Sequence, residues 1–119
     1  MNRLVEIRSY KLVAGAAALF HRVVVEQAVP MLERWGTDVV AYGPSAHEAD
    51  TYFLIRSYER LADLEARQDA FYGSEEWRQG PRAAVIDRIQ SFLNTVVWLS
   101  PAALDDLRAL NAPPPVDGE

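Results

Sequence analysis

Residues 4–12, LVEIRSYKL, and residues 51–61, TYFLIRSYERL, share the word IRSY at positions 7–10 and 55–58. In the first copy Val5, Ile7 and Ser9 point one way and Glu6, Arg8 and Tyr10 the other, the two-residue period of a half-buried strand. The second copy has the same parity, with Phe53, Ile55 and Ser57 opposed to Tyr52, Leu54, Arg56 and Tyr58. Each copy runs into the turn that starts a helix. The repeat therefore predicts two equivalent strands in two similar halves.

The intervening segments fill in those halves. After Gly15, the apolar positions Phe20, Val24, Ala28, Met31 and Trp35 recur at spacings of three and four. That spacing predicts an amphipathic helix closed by Gly36 and kinked at Pro30, about one turn before its end. TDVVAYG (37–43) reads as a short second strand and DTYFLIRSY (50–58) as the third, joined through the polar loop PSAHEA. RLADLEARQDAFY returns to helical spacing, with Leu61, Leu64, Gln68 and Phe71 on one stripe. SEEW predicts a single helical turn capped by Ser74, with Glu75 and Glu76 at the positive end of its dipole. A short helix over 82–89 precedes the fourth strand, SFLNTVVWL (91–99), and Ser100-Pro101 opens a C-terminal helix through Leu110.

The order βαββαβ is the ferredoxin-like double split arrangement, an α+β fold with an antiparallel four-stranded sheet and helices on one face. Its first and third strands are central neighbours, which accounts for the repeated word. The division expected is a ferredoxin-like domain over 1–100, a short helix over 101–111 and a disordered tail over 112–119, where APPPVDGE lacks the apolar content to fold.

Composition bounds the function. At 119 residues the chain makes one domain, and half of its residues are hydrophobic. A net charge of −5 argues against nucleic acid and acidic lipid surfaces, which require concentrated positive charge. Cysteine is absent, which removes disulfides, thiolate nucleophiles and cysteine metal sites. No stretch approaches the roughly 18 apolar residues of a membrane span, and the N-terminus has no secretory pattern. A cytoplasmic location is the expectation.

Parity also predicts two unequal sheet faces. Val5, Ile7 and Ser9 with Phe53, Ile55 and Ser57 form a small apolar face suited to packing under the helices. The opposite face carries Leu4, Glu6, Arg8 and Tyr10, then Tyr52, Leu54, Arg56 and Tyr58, then Phe92, Asn94, Val96 and Trp98. Left open, it is too aromatic for water, and no remaining helix is long enough to cover it. A second copy of the sheet is the expected cover, giving a homodimeric α/β barrel.

EIRSYKL followed by Gly15, VPMLERWG at the end of the first helix, LIRSYERLADLEAR, and SEEW followed by a helix and the VVWL strand carry a resemblance to the NIPSNAP family, within the dimeric α/β-barrel group. The resemblance covers residues 4 to about 99. It implies the ferredoxin-like fold and a homodimer. The wider group includes cofactor-free monooxygenases, haem-degrading enzymes, isomerases and proteins of no known activity, so the resemblance leaves the chemistry open.

Arg8 and Arg56, equivalent in the two halves, are candidate ligand-binding residues, because two neighbouring guanidiniums suit a carboxylate or phosphate. The alternative is a buried ion-pair network with Glu6. His21, in the first helix, is a candidate general base, set against a boundary histidine in water. Tyr10, Tyr58 and Trp77 are candidates to line an aromatic cleft, with the two tyrosines as weak catalytic candidates, set against aromatic core anchors. His47 beside Glu48 and Asp50 is a weak metal pattern in a solvated loop, and no metal or cofactor is expected. Walker, dinucleotide, zinc-protease and nucleophile-elbow motifs are absent from the sequence. The reading is a homodimer holding a small anionic or aromatic organic molecule. The alternatives are a cofactor-independent monooxygenase or isomerase and a non-catalytic scaffold.

Overall fold

The computed structural model describes residues 1–116. Four strands, β1 (Arg3–Leu12), β2 (Asp38–Pro44), β3 (Thr51–Tyr58) and β4 (Ile89–Leu99), form one antiparallel sheet in the order β2-β3-β1-β4. Between β1 and β2 the chain is helical as α1 (Ala17–Val23), a π-helical turn (Val24–Ala28) and α2 (Val29–Arg34). After β3 come α3 (Leu61–Gly73), α4 (Glu75–Gln79) and α5 (Arg82–Ile86), and after β4 comes α6 (Pro101–Leu110). This is the ferredoxin-like α+β fold, and the two IRSY words lie side by side at its centre, with Ile7 opposite Ile55 and Glu6 opposite Arg56.

Local chemistry sets the boundaries. Gly36 ends the first helical stretch at φ +85°, where a Cβ would stand 2.5 Å from Arg67 Nη1. Ser74 caps α4 by accepting from the Trp77 amide at 3.2 Å, and Ser100 caps α6 by accepting from Ala103 at 3.1 Å, with Pro101 at the first turn. Arg60 starts α3 in extended backbone without a side-chain cap. The kink expected at Pro30 is instead a widened π turn just before it. Proline lacks the N–H that would bond one turn back, and the wide turn takes up that mismatch.

The two sheet faces are the reverse of the expectation. Tyr10, Leu12, Tyr52 and Leu54 pack beneath the helices with Phe20, Val24, Val29, Met31, Leu32, Phe71, Trp77 and Val85. Helices standing off a sheet leave a tall gap, and long rings fill it where small residues would leave voids. Alternation divides residues into two sets without saying which set is inner. The small face carries Val5, Ala41 and Ile55 and receives α6, through Leu104 and Leu107. The C-terminal helix, taken as too short to cover a sheet face, thus covers part of one. Arg108 fixes it by donating to the Val39 carbonyl at 3.0 Å and to both Asp38 carboxylate oxygens.

The edge strand β4 is exposed on both sides, with Phe92, Val96 and Trp98 on the helix face and Leu93, 76% exposed, on the other. Beyond α6, residues 111–116 carry no regular structure, yet Pro114 is tied to the domain through its carbonyl. The rest of the expected tail, residues 117–119, lies outside the described residues.

Candidate functional site

Alternate residues of β1 and β3 raise a polar cluster beneath α3. Glu6, buried on β1, accepts from Arg56 Nε at 2.8 Å, from Gln68 Nε2 at 3.0 Å, from Asn94 Nδ2 at 2.9 Å and from Arg8 Nη2 at 3.3 Å. Arg56 Nη2 stands 2.5 Å from Glu6 Oε1 as an ion pair, outside hydrogen-bonding alignment, and Arg56 Nη1 donates to the Tyr72 hydroxyl at 2.8 Å. Arg8 also donates from Nε to Asn94 Oδ1 at 2.8 Å and lies over the Phe92 ring, 4.7 Å from its centroid. The expected clustering of the two arginines is present, with Glu6 between them.

Beside this cluster a cavity of about 380 Å³ opens between the sheet and the helices. Phe20, Leu54, Phe71, Trp77, Val85 and Phe92 supply most of its apolar wall, and Arg8, Tyr10, Tyr72, Gln90 and Ser91 its polar groups. The π turn contributes Val24 and Ala28. Such widened turns recur at functional sites, where they re-aim side chains that a regular helix would direct elsewhere. Burial pushes the Tyr10 hydroxyl up to about 12, with the neighbouring Tyr72 adding to that effect and Arg8 and Arg56 opposing it. Tyr10 is thus a protonated donor at neutral pH.

The sequence candidates divide. Arg8, Tyr10 and Trp77 line the cavity, whereas Arg56 and Tyr58 lie outside its lining. Arg56 is fully buried behind it, as in the ion-pair reading. Tyr58 packs with Leu4 and Leu64, its hydroxyl accepting from Gln68 at 3.3 Å. His21 is buried rather than placed at a wet boundary, and it too lies outside the cavity. Its Nε2 is 2.9 Å from the Pro114 carbonyl, which only accepts, so Nε2 carries the hydrogen and Nδ1 receives the Tyr52 hydroxyl at 2.6 Å. His47 pairs with Ser45 and Glu48 in solvent, and among the described residues no three His, Asp or Glu side chains gather as metal ligands.

The NIPSNAP family profile matches residues 5–101. The chain belongs to the NIPSNAP family. A NIPSNAP family protein of unknown function from Agrobacterium tumefaciens superposes with a TM-score of 0.75 at 21% identity, over 83% of this chain and 92% of that one. A NIPSNAP-like domain protein from Burkholderia xenovorans gives 0.75 at 17% identity, over 83% and 86% of the two chains. A putative antibiotic biosynthesis monooxygenase from Nitrosomonas europaea gives 0.61 at 15%, over 83% and 92%. A search of curated proteins finds no match. At these identities the structural likenesses show the fold that NIPSNAP shares with its neighbours.

The sequence groups Tyr52, Leu54 and Phe92 with Tyr10 on one face but sets that face away from the helices, and it does not single out Tyr72, Gln90 or Ser91. Tyr52 stands directly opposite Tyr10 in the strand register, as that grouping requires. Tyr72 lies one residue off the apolar stripe of α3 and gave no signal.

Proposed function

We propose that this NIPSNAP protein is a cytoplasmic homodimer that holds a small organic molecule in the cavity between sheet and helices. The observation carrying this reading is the cavity itself: about 380 Å³, walled mainly by aliphatic and aromatic side chains, with a few polar groups, Arg8 among them. Ligand sites have this constitution, a dry wall for affinity and sparse polar groups for orientation. A scaffold whose inner charges only specify pairing has no need of the empty volume.

Dimerisation is supported by β4, an edge strand with unpaired backbone and exposed Phe92, Leu93, Val96 and Trp98. The aromatic face that first argued for a partner sheet is covered by the protein's own helices, so that role passes to β4 and the part of the small face outside α6. A chain without cysteine has no need of an oxidising compartment, which accords with the cytoplasm, and its acidity disfavours nucleic acid and anionic membranes as partners.

The oxygenase or isomerase reading has one observation in its favour: Arg8 and the Tyr10 hydroxyl stand where they would steady an enolate oxygen. Among the described residues, however, the cavity lining holds no carboxylate and no imidazole to remove a proton. Binding is the stronger reading. Native mass spectrometry of the protein as purified tests it, with a dimer carrying a small-molecule adduct as the expected result. Adduct-free protein that also takes up no added apolar compound by calorimetry removes the reading.

A further inference from the structure

We propose that the cavity's ligand is an organic monocarboxylate whose apolar body lies among Phe20, Leu54, Trp77 and Phe92 and whose carboxylate meets Arg8. The inference rests on the binding reading above and adds the charge of the ligand. Its basis is an imbalance. Two guanidiniums, Arg8 and Arg56, share a single carboxylate, Glu6, and neither pairs with any other acid among the described residues. Both ions of the Glu6–Arg56 pair are fully buried, and four residues already donate to Glu6. Arg8 therefore carries most of the surplus positive charge, and it is the arginine that lines the cavity.

The surroundings of Arg8 select the anion. Its side chain is 12% exposed, so water screens it little, and an incoming negative charge is worth more there than at the surface. Arg8 Nε and Nη2 already donate to Asn94 and Glu6, so Arg8 Nη1 and the protonated Tyr10 hydroxyl are the donors left to match the two oxygens of a carboxylate. Tyr72, engaged by Arg56, sets the limit of the polar end. Beyond it the wall is hydrocarbon and ring, and the volume lies at the small end of ligand pockets, which fits a bicyclic body better than a long chain. A phosphate dianion would overcompensate one surplus charge.

Calorimetry with naphthalene-2-carboxylate and its neutral isostere 2-acetylnaphthalene tests this. The carboxylate is expected to bind at least about ten-fold more tightly, as a charge-assisted pair exceeds a neutral hydrogen bond. Arg8→Met is expected to abolish that preference by weakening the carboxylate far more than the ketone, and Arg8→Lys to restore part of it. Ala28→Trp, which fills the cavity, should remove both. Equal affinities in the unaltered protein, or equal losses of the two ligands in Arg8→Met, overturn the carboxylate assignment and leave the cavity as a neutral site. The comparison in the unaltered protein decides the matter even if a variant does not fold. Failure of both compounds to bind overturns the binding reading together with this one.

Discussion

Glu6 and Arg56 face each other across the two central strands, both fully buried, with Arg56 Nε donating to Glu6 Oε1 at 2.8 Å. This pair joins the two halves of the fold at the point where the IRSY words align.

Breaking the pair from one side strands a buried charge. Arg56→Met is expected to destabilise the protein by about 3–5 kcal/mol, since Glu6 would keep only its partners Gln68, Asn94 and Arg8. Adding Glu6→Gln should recover much of that loss. Urea unfolding of the single and double variants measures both, and a single variant as stable as the parent would contradict the network.

Alkaline pH should weaken the fold. Tyr10, Tyr42, Tyr52 and Tyr58 all have hydroxyls raised above the usual 10.0, mainly by burial, and Tyr10 reaches about 12. The folded state then holds these protons more tightly than the unfolded chain. Stability is full below pH 10 and falls as pH rises from there through 12, on the order of 2–3 kcal/mol for Tyr10 alone. Denaturant midpoints at pH 9, 10 and 11 should fall in sequence, and Tyr10→Phe should flatten the slope.

His21 depends on a carbonyl that lies beyond the last helix. Ending the chain at Asn111 removes Pro114 and leaves the buried Nε2 donor without its acceptor. The expected loss is about 1–3 kcal/mol, and it should shrink sharply in a His21→Phe background, where no donor remains. Thermal unfolding of the four proteins completes the cycle.

The turn after α2 tests the backbone. Gly36→Ala places a side chain at φ +85° against Arg67 Nη1, which donates to the Gly36 carbonyl at 2.9 Å. A loss of about 1–2 kcal/mol is expected from the left-handed conformation alone. If Gly36→Ala is neutral by chemical denaturation, the turn does not hold this geometry in solution.

The proposed dimer is open to the same kind of test. Leu93→Glu puts a charge at the most exposed leucine of β4 without touching the core. Sedimentation should find a dimer for the parent chain and a monomer for the variant. A parent that sediments as a monomer at high concentration excludes the interface.

The sequence made the fold plain because strand parity, glycine stops and serine caps are local signals, and each lies where its residue predicts: Gly36, Ser74, Ser100. The candidate site was only half legible. Arg8, Tyr10 and Trp77 share a cavity that alternation and spacing point towards, but Arg56, identical in its local word, is sealed behind Glu6 and Tyr72. Whether a residue faces a void or a partner depends on the helix above it, and that helix is fixed by contacts many residues away. The inversion of the faces has the same origin: alternation is blind to the height of the gap it must fill.

The widened turn at Val24–Ala28 has a bearing on how this chain can vary. It holds one residue more than a regular turn, so removing a single residue there would let an ordinary helix form with Met31 and Leu32 still turned towards the core. Pro30 would then stand inside a regular helix, where its ring meets the carbonyl one turn back. The extra residue should thus be tied to the proline after it, and homologous chains without that proline should carry a regular turn in its place.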